Sequence, residues 1–267
     1  MAGVLIVNPR SGEDSPDADE LARAAESRGI RTRILEPGDD PGELARTEEA
    51  EALGVAGGDG SLAPVADAAL ARGLPFVCVP FGTRNHFARD LGLDRDDPIG
   101  ALDAFSSGEE RRVDVGRVNG RAFLNNVSLG VYASLVRRRE RHRRRNEALA
   151  RARALVRVAR DRHRLRVRIG DEAFVARVLL VANNAYALDL FTLGERETLD
   201  AGELCLYAAA GWLPHRWTEQ RARELVVELD RPFVHAAADG EPLTLEPPLR
   251  FELEPQALRV LLPRRPE

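Results

Sequence analysis

Residues 55–61 read Val55-Ala56-Gly57-Gly58-Asp59-Gly60-Ser61, three glycines and an aspartate between an apolar strand and a helix. Glycines at this spacing leave almost no side-chain bulk, so an anion can lie against the backbone amides. Asp59 is a hard oxygen donor suited to Mg2+ beside phosphate oxygens, and Ser61 adds a hydroxyl. Two more polar loops, Asn8-Pro9-Arg10-Ser11-Gly12 and Pro80-Phe81-Gly82-Thr83-Arg84-Asn85, also follow apolar strands. All three fall at strand carboxyl ends, where the ligands of open parallel sheets collect.

The chain has 267 residues, a formal net charge of −4, and 39 cationic side chains that are all arginine. A Walker A loop and a protein kinase both require a lysine at the phosphates, so neither fits a chain without one. Cys78 and Cys205 sit in apolar strand-like runs and read as reduced core residues. No apolar run approaches the ~20 residues that span a bilayer. With no basic leader ahead of the strand at Val4, the expected location is cytoplasmic, with any membrane contact peripheral to the inner face.

The elements that must position these loops alternate. Strands are expected at Val4–Asn8, Arg31–Leu35, Ala52–Ala56 and Pro75–Pro80, with helices near Asp17–Arg28, Pro41–Ala50, Leu62–Arg72 and Pro98–Ser107. Short apolar strands alternating with helices imply a doubly wound parallel α/β domain, here residues 1–111. Beyond it the pattern changes. Val113–Val118, a turn at Asn119-Gly120 and Ala122–Val127 read as a hairpin. Further strands at Arg166–Ile169, Ala173–Ala182, Glu203–Ala209, Ala222–Leu229, Phe233–Ala237, Leu249–Leu253 and Leu258–Leu262 make residues 112–267 an antiparallel β domain.

Arg137 to Arg168 carries fifteen arginines against Glu140, Glu147 and Asp161, about +12, which leaves the rest of the chain near −16. A helix over about 137–162 reads first as a surface helix packed on the second domain, and second as a basic face for an anionic membrane surface. Nucleic acid is not an expected partner, because aromatic residues for base stacking are not interleaved with the arginines.

The ordered set of loops, together with Val113-Asp114-Val115-Gly116-Arg117-Val118-Asn119-Gly120-Arg121, Phe123-Leu124-Asn125-Asn126 and Asp239-Gly240-Glu241-Pro242, resembles the catalytic domain of the diacylglycerol kinase and sphingosine kinase family, especially its soluble bacterial members. The resemblance implies ATP bound between a nucleotide-binding α/β domain and a β-sandwich domain, with a lipid hydroxyl as acceptor. It implies nucleotide contacts at Asn8, Ser11, Gly12, Gly58, Asp59, Gly60, Ser61 and Thr83, Mg2+ positioned by Asp59 and Asp114, and Glu241 as general base. Two other readings stay open: a kinase for a soluble metabolite, as NAD kinase is, and a non-catalytic nucleotide-binding protein that docks on membranes. The chain departs from the family at Ser61 for threonine, Ala63-Pro64 for Asn-Glu, and His86 for aspartate. Asn183-Asn184-Ala185-Tyr186 stands where a glycine-rich stretch is usual. A structural metal near Asp200 is not expected, because one acidic residue of that pattern is missing.

Overall fold

A computed structural model of the chain describes residues 2–11, 16–82, 85–130, 164–186, 195–196, 198–209 and 217–264. They fall into two compact units, Met1–Val115 with Tyr186–Gly202 and Glu254–Glu267, and Gly116–Ala185 with Glu203–Leu253.

The first unit alternates strand and helix: β1 (Gly3–Val7), α1 (Ala18–Glu26), β2 (Arg31–Ile34), α2 (Pro41–Thr47), β3 (Ala52–Gly57), α3 (Asp59–Ala71), β4 (Phe76–Pro80) and α4 (His86–Asp90). A 3-10 turn at Gly100–Asp103 then runs into α5 (Ala104–Ser107). The sheet is parallel, in the order β2-β1-β3-β4, with Ile6 opposite Val55 and Val55 opposite Cys78. Every residue of β1, β3 and β4 is buried, which is why these strands read as unbroken apolar runs. Helix starts are fixed locally. Asp17 and Glu20 form a capping box on α1, and Asp40 accepts from Gly42 N and Glu43 N ahead of α2. Gly3 and Gly54 make room for one ring, since a Cβ on either would stand 2.4 Å from Phe105 of α5.

The second unit is antiparallel. After β5 (Glu109–Val118), which starts in the first unit, come β6 (Arg121–Phe123), β7 (Asn126–Gly130), β8 (Leu165–Ile169), β9 (Glu172–Ala176), β10 (Val178–Asn183), β11 (Leu204–Ala209), β12 (Trp217–Ala222), β13 (Glu224–Leu229), β14 (Val234–Ala238), β15 (Glu241–Leu245) and β16 (Leu249–Leu262), whose second half belongs to the first unit and pairs parallel with β4. One layer runs β12-β11-β10-β7-β14-β15. The other contains the first half of β16 paired with β13, then β8 and β9. Inward side chains of both layers share one core, with Leu165, Val167, Leu225 and Phe251 from one and Leu129, Val181, Leu206 and Ala236 from the other. Phe123 meets Phe251 edge-on, with ring centroids 6.3 Å apart. The architecture is an α/β domain plus a β-sandwich.

Several boundaries differ from the sequence reading. The expected single cut between residues 111 and 112 gives way to two returns, because Tyr186–Gly202 and Glu254–Glu267 belong to the first unit. The expected strand at Ala122–Val127 breaks after Phe123, since the amides of Leu124 and Asn125 are drawn to the Asp239 carboxylate instead of a ladder. Ala173–Ala182 is two strands in different layers, and Ala222–Leu229 divides at Arg223. Leu249–Leu253 and Leu258–Leu262 are one strand, β16, kinked where Gln256 takes a left-handed φ of 49°. The arginine-rich segment expected to be helical over about 137–162 lies outside the described residues. Among the described residues no helix is long and apolar enough to cross a membrane.

Candidate phosphate and metal site

The loops that follow β1, β3 and β4 meet at glycine. Asn8 directly follows β1 and is held twice: its backbone N–H donates to Ala56 O at 2.8 Å, and its Nδ2 donates to Ser61 Oγ at 2.8 Å. Its Oδ1 accepts from Arg10 N at 3.1 Å, so the side chain also shapes the turn that carries Ser11. A Cβ on Gly57 would fall 2.9 Å from Ser61 Cβ and 3.5 Å from Asn8 Cβ. On Gly58 it would lie 3.8 Å from Ser11 Oγ, and on Gly82 only 2.9 Å from Gly58 Cα. Asn8, Ser11, Gly58 and Ser61 are therefore brought together. Gly60 lies in the first turn of α3. Gly12 and Thr83 lie outside the described residues.

Asp59 opens α3, with Gly58 as a cap residue that has no side chain to contribute. Its carboxylate reaches the next loop, accepting from His86 N at 3.2 Å and Phe87 N at 3.1 Å. It thus binds the start of α4 and fixes the third loop against the second. The helix begins three residues before the expected Leu62, so Pro64 stands in its second turn rather than its first. There proline removes the N–H that would bond Gly60 O. Pro64 instead fills the space beside Gly42 of α2, where a Cβ would come within 3.1 Å of Pro64 Cβ. The Ala63-Pro64 departure is thus a packing feature on the side of α3 facing α2. The Cys78 thiol lies behind this turn and is held well above its usual range, by burial first and by the charge of Asp59 second. Cys78 and Cys205 are both free and buried.

Asn85 was quoted in the third loop by sequence reasoning but given no role. It adopts a left-handed φ of 45° and is 3% exposed. Nδ2 donates to Gly82 O at 2.6 Å, while Oδ1 is buried with no hydrogen-bond partner among the described residues. That oxygen stands 3.0 Å from the place a Gly82 Cβ would take. The signal in sequence was its position directly after the glycine turn.

Asp114 is 1% exposed, a buried carboxylate rather than a solvated strand residue. Oδ1 accepts from Gln256 N at 2.7 Å and Oδ2 from Gly202 N at 2.8 Å, and its backbone N–H donates to Leu199 O at 2.8 Å. The kink in β16 exists where Gln256 turns its amide to this carboxylate. Nearby in sequence, Arg196 Nε donates to Asp90 Oδ2 at 2.7 Å, with both side chains almost fully buried. Arg89 takes the other Asp90 oxygen at 2.8 Å. Segment 195–202 is thereby fastened to α4 at one end and to Asp114 at the other.

Glu241 lies in the second unit, exposed, as the first residue of β15. The turn before it has the left-handed pair Asp239 (φ 48°) and Gly240 (φ 86°), which a two-residue hairpin requires. Asp239 is more than a turn residue. Its carboxylate accepts from Leu124 N and Asn125 N at 2.7 Å and from Asn126 N at 3.0 Å.

The Asp59 carboxylate beside turns with no side-chain bulk is a hard donor of the kind Mg2+ takes, and the glycines leave amides open to phosphate. The residues present therefore fit a magnesium nucleotide. Among the described residues no group of three or more His, Cys, Asp or Glu side chains gathers as a direct metal cage.

Residues 2–118 match the family model described as the diacylglycerol kinase catalytic domain. Over 130 residues the chain is 39% identical to a diacylglycerol kinase of Bacillus subtilis (strain 168), a stretch covering 45% of this chain and 43% of that protein. Against a diacylglycerol kinase of Staphylococcus aureus (strain MRSA252) the identity is 34%, over 45% of this chain and 41% of the relative. The matched stretch thus spans less than half the length of these relatives. In fold the chain is similar to a putative diacylglycerol kinase from Bacillus anthracis str. Sterne, with TM-score 0.73 at 17% identity over 98% of this chain and 96% of that one. A second structure described as a diacylglycerol kinase from the same strain gives 0.69 at 15%, with the same coverage.

Proposed function

We propose, from the match of residues 2–118 to the diacylglycerol kinase catalytic domain model, that this protein is an ATP- and Mg2+-dependent lipid kinase acting on diacylglycerol or a related lipid alcohol. The observation that supports this most is the meeting of three strand-end loops at Gly57, Gly58 and Gly82 within that domain. Asn8, Ser11, Gly12, Gly58, Gly60, Ser61 and Thr83 bind the nucleotide phosphates through amides and hydroxyls. Asp59 and Asp114 would hold Mg2+ through water. When bound, the ion neutralises charge on the phosphates. The chain's own work is to orient the phosphates along the glycine turn and to hold α4 and segment 195–202 still around it.

In the reaction the lipid hydroxyl oxygen bonds to the γ-phosphorus as the bond to the β–γ bridging oxygen breaks, and ADP leaves. The hydroxyl proton passes to the Glu241 carboxylate. Such transfers need positioning and charge neutralisation more than covalent chemistry from the protein. The protein works in the cytoplasm and meets its lipid at an anionic membrane surface, in keeping with the fifteen arginines of Arg137–Arg168. The test of the base is Glu241→Ala. It should lower lipid phosphorylation ~100-fold or more, within the range of general-base contributions, and leave ATP affinity within about twofold. Unchanged turnover would remove Glu241 from the mechanism.

A further inference from the structure

Among the described residues, Asn85 Oδ1 is a buried polar atom beside the glycine turn with no hydrogen-bond partner. Its residue is 97% buried by exposure, and the other half of its amide is committed to Gly82 O at 2.6 Å. That commitment orients the amide, because turning it over would set two oxygens against each other at that distance. A buried acceptor left without a donor is costly, and one kept in a native structure calls for an explanation. Here the oxygen lies beside Gly82, whose backbone in turn touches Gly58 of the phosphate turn.

Phosphate oxygens at neutral pH offer no proton to an amide oxygen. The adenine amino group can also donate but sits at the far end of the nucleotide from the phosphates, so beside the phosphate turn the donor is an O–H group. Two parts of a magnesium nucleotide carry one, the ribose hydroxyls and the water held by the cation. We propose that Asn85 is a ligand-binding residue whose Oδ1 accepts a hydrogen bond from an O–H group of the bound nucleotide complex. This rests on the reading of the glycine turn as a nucleotide site. It adds a contact that reads the hydroxyl or hydration chemistry of the ligand rather than its phosphate charge. It also accounts for asparagine here: its residue type tolerates the left-handed backbone, and its amide satisfies Gly82 O while presenting an acceptor.

The test is equilibrium binding to the full-length protein, wild type against Asn85→Gly, which keeps the left-handed backbone without strain. Three probes are titrated: ATP with Mg2+, ATP with the metal chelated, and 2′,3′-dideoxy-ATP with Mg2+. Asn85→Gly should weaken ATP with Mg2+ about five- to tenfold, the loss expected for one hydrogen bond. The loss should vanish in one of the other arms. If it vanishes with the dideoxy nucleotide, the donor is the ribose; if it vanishes without metal, the donor is bound water. Equal loss in all three arms would mean that Asn85 only shapes the loop, and no loss in any would mean that it meets no ligand; either result overturns the proposal. Wild-type protein that fails to bind ATP at all would instead overturn the kinase reading itself. Thermal unfolding of Asn85→Gly, measured alongside, ensures that binding is read on folded protein.

Discussion

Asp239 shows how a residue beside the proposed chemistry can be occupied with structure. Its carboxylate gathers three backbone amides at 2.7, 2.7 and 3.0 Å inside the second unit. Replacing it with alanine leaves those amides without an acceptor, at a cost of about 3 kcal/mol or more by the usual penalty for unsatisfied buried donors. Urea unfolding of Asp239→Ala should show that loss in midpoint; an unchanged midpoint would mean that the amides find water. Asp59 and Asp114 follow the same logic in the first unit, since each carboxylate also holds backbone. Sequence reading picked out Asp59 by its glycine setting and Asp114 through the family resemblance, and read Asp239 only as a turn residue, but could not tell that these carboxylates bind amides. Those partners come from positions such as Gln256, 142 residues beyond Asp114, and no local pattern encodes them. Asn85 was missed for a related reason, because an unsatisfied oxygen is visible only once burial is known.

At the scale of elements, apolar runs made the parallel sheet legible, and strands expected at Ala52–Ala56 and Pro75–Pro80 are found at Ala52–Gly57 and Phe76–Pro80. Strand ends in the sandwich were harder to read. Breaks at Leu124 and Arg177 come from a distant carboxylate and from a change of layer, not from glycine or proline. The last strand is fastened to β5 by Arg259, whose Nη2 lies 2.7 Å from Glu110 Oε2. The Arg259 side chain, by hydrogen bond first, holds the Glu110 carboxyl below its ordinary range. A lowered folded pKa contributes stability that is present above the unfolded value and is lost as pH falls through the folded one. Glu110→Gln should therefore cost a few tenths of a kcal/mol near pH 7, as partly exposed pairs do, and about nothing once the pH has fallen below the folded pKa. Chemical denaturation across that range checks it; a difference that grows on acidification would contradict the assignment.

At the scale of the whole molecule, the α/β domain followed by a β-sandwich was legible from the switch between helix-strand alternation and serial short strands. The two returns of the chain to the first unit were not, because segment 195–202 carries no strong element signal and is held by the Asp90–Arg196 pair and by Asp114. The charge division, about +12 in Arg137–Arg168 against −16 elsewhere, would suit the proposed lipid acceptor at an anionic surface. The central claim is phosphoryl transfer to a lipid at the glycine turn. Its most direct measurement is lipid phosphorylation by the full-length protein with ATP and Mg2+ over a panel of mixed-micelle lipids, wild type beside Asp59→Ala. The account predicts a phosphorylated lipid alcohol with wild type and at least ~100-fold less with Asp59→Ala. Wild-type turnover no greater than that of Asp59→Ala on every lipid would contradict it.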